Sequence, residues 1–426
     1  MIKKYLNSFF SLALRMMTII SSFLFSWIVA RYYGAENAGT IFFYITLLTI
    51  IVTISSQGTE IGIAKAVARI NLENKVNING LFNYVFTKSL KLYFLVFPLL
   101  AIYVFYEAVA YYDASIIVVA LMISGICFVY MNVISYLYQG VGNILMMILT
   151  QRTVFNFLAF IFIATSYFLF YRTSLDIKNI SLYKQIIIIM IAAVLAASFF
   201  YFNHKRKFGH SRSIFKPDDF DHSCKQLFRI QFLQLATMYG SQIIISLFAT
   251  KSDIAGFIVS QRISTLLGFF VLAVSGVVSS QVSRAYSVRD CHSVQKHAYQ
   301  SFVFSASLGL PVGILLIVFS KEILSVFGPD FVQFSMVLII LIISQIVNCF
   351  TGACDIVLMF IDGEKEHKRN VIIGTILALG LSLILIPFYS AIGAAIAAAL
   401  SAIMVNILDV LSIRKRAGFW MFKSKH

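Results

Sequence analysis

Long apolar stretches, separated by short polar segments, run through the whole chain. A helix rises ~1.5 Å per residue and a bilayer core is ~30 Å thick, so about 20 apolar residues make one crossing. The pattern lacks the ten-residue alternation of a membrane barrel, so it predicts an all-α polytopic membrane protein. We predict twelve spans: 9–30, 38–60, 92–112, 115–138, 144–170, 184–203, 228–249, 254–283, 299–319, 333–360, 370–388 and 391–413.

The longest polar segment, residues 204–229, has six predicted spans on either side. Two similar motifs also occur 217 residues apart, AENAGTIFFY at 35–44 and SDIAGFIVSQ at 252–261, each at the start of a predicted span. Equal span counts and a fixed offset are typical of a parallel internal repeat. The sequence therefore predicts two pseudo-symmetric six-helix lobes, residues 1–208 and 227–426, joined by a cytoplasmic linker at 209–226.

Composition and charge support this topology. The chain is 60% hydrophobic and 12% charged, whereas a soluble domain is about 25% charged. With both termini placed in the cytoplasm, 25 of the 34 lysines and arginines fall in cytoplasmic segments and six outside. This bias follows the positive-inside rule, so the net charge of +16 is expected to contact anionic membrane lipids. Nucleic acid is not an expected partner.

Polar stripes follow two of the predicted spans. In the eighth span Arg262 is accompanied by a helical stripe of Gln261, Thr265, Gly268, Ser275 and Ser279. The first span carries the stripe Ser8, Ser11, Arg15, Thr18, Ser22 and Ser26. An arginine within a span costs at least ~2.5 kcal/mol on insertion scales, so we predict that these helices line a hydrated, cationic cavity. The alternatives are helix packing for the serines and snorkelling to the headgroups for Arg15.

Other polar residues lie at helical spacing in the predicted spans. We expect Gln234 in the seventh span and Asn348 in the tenth to line the same cavity. Asp355 continues the stripe of Asn348, and two roles stay open for it: a coupling site for H⁺ or Na⁺, or a pair with a cavity arginine.

Three further charged residues are expected to interact with nearby residues or with the membrane interface. Glu60 is expected to pair with Lys65 or Arg69. Arg152 is expected to anchor the fifth span at the interface rather than bind a ligand. Asp409 is expected to pair with Arg414 or Lys415.

The sequence offers no catalytic or metal-binding signature. The five cysteines have neither metal-ligand nor disulfide spacing, and the seven histidines form no HExxH or HxxxH motif. The longest predicted outer loop, 171–184, is short and contains no histidine. We therefore expect no catalytic residues, no metal and no cofactor, apart from H⁺ or Na⁺ as a coupling ion.

Several segments together resemble a known family: ATKSDIAGFIVSQRISTLLGFF and IDGEKEHKRN in the second half, and RYYGAENAGTIFFY in the first. They resemble the O-antigen flippases of the multidrug/oligosaccharidyl-lipid/polysaccharide (MOP) exporter superfamily. The resemblance implies a V-shaped pair of six-helix lobes, alternating access and a cargo of undecaprenyl-pyrophosphate-linked oligosaccharide. It also implies cavity-facing arginines on the first and eighth spans, where Arg15 and Arg262 lie.

The expected function is therefore translocation of an O-antigen unit across the bacterial inner membrane, coupled to an ion gradient. The polysaccharide polymerase and the chain-length regulator are the expected protein partners. One alternative is a multidrug or cation antiporter of the same fold, although cationic drugs favour cavities rich in carboxylates. Another is an O-antigen polymerase, which would require a larger outer segment carrying acids or bases.

Overall fold

The structure is a computed structural model that describes residues 2–68, 75–107, 114–172, 182–209, 214–217 and 220–422. The described residues are almost entirely helical and include no strand. Their α-helices are α1 Ile2–Ser56, α2 Thr59–Val67, α3 Lys75–Glu107, α4 Ala114–Gly140, α5 Ile144–Ile148, α6 Val154–Arg172, α7 Leu182–Phe208, α8 Phe220–Phe248, α9 Lys251–Ser287, α10 Cys291–Val318, α11 Ser320–Phe327, α12 Ser335–Thr351, α13 Cys354–Phe360 and α14 Glu364–Ala417. A π-helical turn, Leu149–Thr153, joins α5 to α6, and a 3₁₀ turn, Pro329–Phe334, precedes α12.

Two of these helices are long enough to cross a bilayer twice. Helices α1 and α14 contain 55 and 54 residues, or roughly 80 Å each at 1.5 Å per residue. Each is interrupted once, at Gly34 (φ 74°) in α1 and at Ser390 (φ 47°) in α14. These left-handed residues end one helical segment and start the next, because a right-handed helix cannot continue through them.

Nine helices of the described residues are long and apolar enough to cross a membrane, and α1 and α14 are among them. If α1 and α14 each cross twice, these nine helices account for eleven of the twelve predicted spans. The remaining predicted span corresponds to α8, which is 29 residues long. The prediction of a multi-pass all-α protein is thus supported by helix length and composition, whereas the number twelve stays a prediction.

The helix ends show why the repeated motifs occupy their positions. Thr250 caps α9 through a reciprocal capping box, in which its hydroxyl accepts the Asp253 N–H at 3.2 Å. The motif that starts at Ser252 therefore lies in the first turn of α9. Its counterpart begins at Ala35, immediately after the break at Gly34. Both motifs consequently start a helical segment.

The chain forms two compact units, here called the N-terminal unit, Met1–Leu235, and the C-terminal unit, Ala236–His426. The division falls within α8, a few residues after the predicted linker at 209–226. Aromatic rings fill part of the N-terminal core: Phe155 packs between Phe25 and Phe128, with ring centroids 5.9 and 5.0 Å apart. These contacts join α1, α4 and α6.

Part of the core of the C-terminal unit is a mainly aliphatic cluster. This cluster takes side chains from α9, α10, α13 and α14, including Val282, Val294, Val357 and Ile413. Large apolar side chains elsewhere are exposed, for example Leu95 at 74% and Phe388 at 80%. In water such exposure would be unfavourable, but lipid tails cover apolar helix faces in a membrane.

Candidate functional site

The π-helical turn Leu149–Thr153 distorts the backbone within the apolar span Ile144–Leu169. Gln151 departs from helical geometry (φ −73°, ψ 54°), and Arg152 is left-handed (φ 68°, ψ −3°). A non-glycine residue in this region is strained by about 1–3 kcal/mol and persists when its surroundings hold it there. Such π-bulges occur frequently at functional sites. The distortion sets the direction of the Arg152 side chain.

Arg152 contacts two other helices of the N-terminal unit. Its Nη2 donates a hydrogen bond to Thr49 Oγ1 on α1 at 2.7 Å. Its guanidinium carbon also lies 4.9 Å from the centre of the Phe128 ring on α4, within cation–π range. The side chain is half-buried in the apolar span Ile144–Leu169. Arg152 therefore contacts both α1 and α4, and its expected role as an interfacial anchor stays a prediction.

The neighbouring residue connects the same turn to the first polar stripe. Thr153 Oγ1 lies 2.9 Å from Thr18 Oγ1 and donates to the Ile148 carbonyl at 2.8 Å. Ser22 follows Thr18 by one helical turn, is half-buried, and its carbonyl accepts the Ser26 hydroxyl at 2.7 Å. The predicted stripe of the first span thus borders Arg152. We call Thr18, Thr49, Arg152 and Thr153 the polar layer of the N-terminal unit.

Arg15 belongs to helix α1, but its side chain lies outside the described residues. Gln234 lies on α8, and its side chain is exposed. The structure therefore places Gln234 on the surface of the N-terminal unit and does not join it to the polar layer.

The C-terminal unit contains its own band of polar side chains. Gln261 on α9 accepts a hydrogen bond from Gln242 Nε2 at 3.0 Å, and Arg262 beside it is half-buried. Asn348 on α12 accepts from Asn406 Nδ2 on α14 at 3.3 Å. A carboxamide ladder therefore links α12 to α14, and a separate pair links α8 to α9.

Glycine brings the α9 stripe close to this ladder. Asn348 Nδ2 donates to Gln345 Oε1 at 3.4 Å, and the same Oε1 would lie 3.5 Å from a Cβ added at Gly268. Gly268 is one turn beyond Thr265 on the predicted stripe. The structure thus brings the α9 stripe and Asn348 to the same part of the C-terminal unit.

Asp355 is half-buried on α13, and its electrostatic neighbours include His367 and Asp409 on α14. Asp409 is fully buried; its Oδ2 lies 2.9 Å from His367 Nδ1, and its Oδ1 accepts from Asn370 Nδ2 at 2.9 Å. The expected pairing of Asp409 with Arg414 or Lys415 was wrong. These two basic residues lie five and six positions further along α14, whereas His367 belongs to the other end of that helix.

Glu60 also differs from its expected pairing. The side chain is 2% exposed; its Oε1 accepts from Asn132 Nδ2 on α4, and its Oε2 accepts from Gln231 Nε2 on α8 at 2.6 Å. Lys65 is exposed, and Arg69 lies outside the described residues. Among the described residues, no ion pair involves Glu60. A local ion pair with Lys65 is therefore replaced by a buried network of carboxamides.

Comparison with known proteins adds a partial family similarity and a fold to this geometry. Residues 230–388 match the MatE family model. A stretch of 166 residues is 30% identical to the probable low-salt glycan biosynthesis flippase Agl15 of Haloferax volcanii. This match covers 39% of the chain and spans only 35% of the length of that relative.

Two solved structures match nearly the whole chain. An inward-facing multidrug resistance MATE family transporter of the MOP superfamily superposes with a TM-score of 0.72 at 15% identity, over 96% of this chain and 98% of the other. The lipid II flippase MurJ in an inward closed conformation superposes with a TM-score of 0.70 at 16% identity, over 95% and 87%. At these identities the likeness establishes the fold, and the predicted all-α polytopic MOP fold is confirmed.

Proposed function

We propose that this multi-pass membrane protein, which contains a MatE family domain and has the fold of the MOP superfamily transporters, is a flippase for lipid-linked oligosaccharides. The observation that carries the proposal is Arg152, a guanidinium held inside an apolar span by the Thr49 hydroxyl and the Phe128 ring. The comparisons support it, since one relative is a probable glycan biosynthesis flippase and one fold neighbour flips lipid II.

The chemistry of the polar layer suits an anionic headgroup followed by sugars. Guanidinium is a planar donor that binds phosphate through parallel hydrogen bonds, and it does not lose its proton in proteins. Thr18 and Thr153 can exchange their mutual hydrogen bond for bonds to sugar hydroxyls, and Thr49 can do the same with the bond that it accepts from Arg152. A phosphate would compete with Thr49 for the Nη2 donor, so the site can bind and release its ligand.

The finer assignment follows the sequence. We propose undecaprenyl-pyrophosphate-linked O-antigen units as cargo, moved from the inner to the outer leaflet of a bacterial inner membrane by two lobes in alternating access. Arg15 and Arg262 are proposed as further headgroup ligands, with Ser22, Gln234, Gln261 and Asn348 as sugar contacts. Both termini are placed in the cytoplasm, and the polymerase and chain-length regulator are proposed partners.

Replacing Arg152 tests the proposal in cells that depend on this protein for their surface glycan. We expect Arg152→Ala, at normal membrane abundance, to lower surface glycan roughly 10-fold or more, because one charge-assisted hydrogen bond contributes ~1.5 kcal/mol or more. The lipid-linked unit should accumulate on the inner leaflet. Arg152→Lys should give an intermediate loss, since it keeps the charge but not the planar fork.

Arg206→Ala is the matched control, because Arg206 is exposed at the end of α7 and outside the polar layer. It should leave surface glycan unchanged. Unchanged surface glycan in Arg152→Ala would overturn the role of Arg152. Loss of resistance to cationic drugs, without any change in the glycan, would instead favour the alternative of a multidrug antiporter, since one fold neighbour is a multidrug resistance transporter.

A further inference from the structure

The buried carboxyl group of Glu60 has an unusual environment. It lies on α2 two residues after the left-handed Gly58 (φ 75°), and its two oxygens accept hydrogen bonds from the side-chain amides of Asn132 and Gln231. The side chain is 2% exposed, and Gln231 is 6% exposed. Three helices, α2, α4 and α8, therefore contribute to one enclosed polar site within the N-terminal unit.

This site holds one negative charge against neutral partners. A carboxylate removed from water costs several kcal/mol unless a cation or enough hydrogen-bond donors compensate, and uncompensated groups take up a proton instead. The other polar neighbours are hydroxyl groups: Ser56 at the end of α1 and Tyr136 on α4. None of them supplies positive charge.

The charged groups at the edges of the site are engaged elsewhere. On α3, Lys88 pairs with Asp221 at the start of α8 at 2.7 Å, and Tyr84 donates to the same carboxylate at 2.8 Å. On α2 itself, Lys65 is exposed. The described helices packed against Glu60 therefore bring neutral groups to it and keep these charged groups at a distance.

A second observation indicates where a proton would be held. Gln231 Oε1 is buried and has no hydrogen-bond partner in the structure. Rotation of the Gln231 amide would turn this carbonyl oxygen towards Glu60 Oε2. A proton added to Oε2 forms an O–H bond that can then donate to Gln231 Oε1, and no other covalent bond changes. The two carboxamides can thus serve both the ionised and the protonated forms.

We propose that Glu60, with Asn132 and Gln231, forms an internal proton-binding site whose occupancy changes how α8 is held against α2. This inference rests on the proposed transport function, for which it supplies the coupling proton. It moves the coupling site from Asp355, which has a histidine nearby, to a carboxyl group that has no described cation beside it.

The backbone packing explains how one proton can affect α8. A Cβ added at Gly58 would lie 2.3 Å from the Cys224 carbonyl oxygen and 2.7 Å from the Phe228 nitrogen. A Cβ at Gly62 would lie 2.5 Å from Cys224 Sγ. Helix α8 therefore lies directly against α2 here, and the Glu60–Gln231 hydrogen bond belongs to the same contact. When Glu60 becomes the donor and Gln231 the acceptor, the contact between α8 and α2 changes.

The test uses the purified full-length protein in lipid nanodiscs and follows the carboxyl C=O band by infrared difference spectroscopy as the pH is changed. We expect a buried protonated carboxyl band that disappears at alkaline pH and is missing in Glu60→Gln. Glu322→Gln is the control, because Glu322 is exposed on α11, and it should retain the band. The readout does not require knowledge of the cargo.

A second variant leaves the carboxyl group in place. Gln231→Met removes one donor to the ionised form, so the titration midpoint of the band should move to higher pH. A spectrum that is identical in the wild type and Glu60→Gln, or a midpoint that Gln231→Met leaves unchanged, would overturn the proton site. A band that responds to sodium chloride but not to pH would also overturn it.

Cell assays separate this inference from the proposed transport function. If both hold, Glu60→Gln should export glycan at a rate that no longer changes when a protonophore collapses the proton gradient. Normal protonophore sensitivity in Glu60→Gln would contradict the coupling role and leave the flippase assignment standing. Loss of the flippase assignment through Arg152 would, conversely, leave the infrared result unaffected.

Discussion

Glu60 in the N-terminal unit and Asp409 in the C-terminal unit are both buried carboxylates, but their partners differ in charge. Asp409 lies 2.9 Å from His367, which can carry a positive charge, and also accepts from Asn370. Glu60 accepts from the carboxamides of Asn132 and Gln231, and its further hydrogen-bonding neighbour, Ser56, is a neutral hydroxyl. A histidine partner stabilises the ionised carboxylate by charge, whereas amides provide hydrogen bonds and leave the charge uncompensated.

The comparison suggests different roles for the two networks. The Asp409 network joins the two ends of α14, because His367 and Asn370 lie in its first turns and Asp409 in its last. This arrangement is typical of a structural clasp. The Glu60 network joins three separate helices, whereas each network contains one buried amide oxygen without a hydrogen-bond partner, Gln231 Oε1 or Asn370 Oδ1. The difference between the networks is therefore the histidine beside Asp409 and the number of helices that Glu60 joins, and a buried carboxyl group held by neutral amides is typical of a site that can take up a proton.

The largest expected effect is that of Asp409→Ala on stability. The substitution leaves His367 and the buried amide of Asn370 without their acceptor, which should lower the free energy of unfolding by about 3 kcal/mol. Thermal unfolding of the detergent-solubilised protein measures this loss. Asp409→Asn, which keeps an acceptor for Asn370, should lose less. Equal melting of Asp409→Ala and the wild type would remove the clasp interpretation.

A smaller effect is expected at Glu60. Glu60→Ala leaves two buried amides without their acceptor and should cost about 2 kcal/mol, whereas Glu60→Gln keeps one acceptor oxygen and the shape, and should cost less than about 1 kcal/mol. Thermal unfolding of the two detergent-solubilised variants measures both losses. The comparison between the two carboxylates would fail if Glu60→Gln were as destabilising as Glu60→Ala, since charge would then be essential to the network.

The smallest effect is expected at Asp221, a carboxylate that two lysines contact and that remains a third exposed. Because exposed ion pairs contribute little, Asp221→Ala should lower the free energy of unfolding by about 1 kcal/mol or less. Asp330→Ala, at an exposed carboxylate outside any described ion pair, is the control. A loss near that of Asp409→Ala would show that exposure does not decide the ranking.

The pH dependence of the Asp221 effect has a definite sign. Burial would raise the pKa of Asp221, but hydrogen bonds from Lys88, Tyr84 and Lys216 outweigh it and hold the pKa below its usual value. A depressed pKa contributes stability above the usual value of ~3.9, and this contribution is lost as pH falls towards the lowered value. The difference between Asp221→Ala and the wild type should therefore vanish only in strong acid.

The sequence predicted helix class, most span positions and the polar stripes, because these features depend on residues three or four positions apart. Thr18 and Ser22 are an example, since helical periodicity alone places them one turn apart. The same reasoning favoured local partners for Glu60 and Asp409. The expectation for Asp409 failed, and Lys65 does not pair with Glu60, whereas Arg69 lies outside the described residues. Partners of Glu60 and Asp409 in the structure are 171 and 42 positions away. Periodicity within one helix carries no information about which helices pack together.

Arg152 shows a second limit of sequence reasoning. Its neighbours Gln151 and Thr153 are compatible with an ordinary helix end, and nothing in that stretch signals a π turn. The left-handed backbone arises because Thr18, Thr49 and Phe128, from two other helices, surround the turn. Local propensity cannot anticipate a conformation that tertiary contacts impose. The functional weight given to Arg152 therefore required the structure.

The two side-chain-free positions at Gly58 and Gly62 give the protein a built-in chemical reporter. They allow α8 to pack so closely against α2 that Cys224 is only 1% exposed. An alkylating reagent can reach that sulfur only while the two helices are apart. With Cys127 and Cys291 changed to serine, the labelling rate of Cys224 would time each separation during the working cycle.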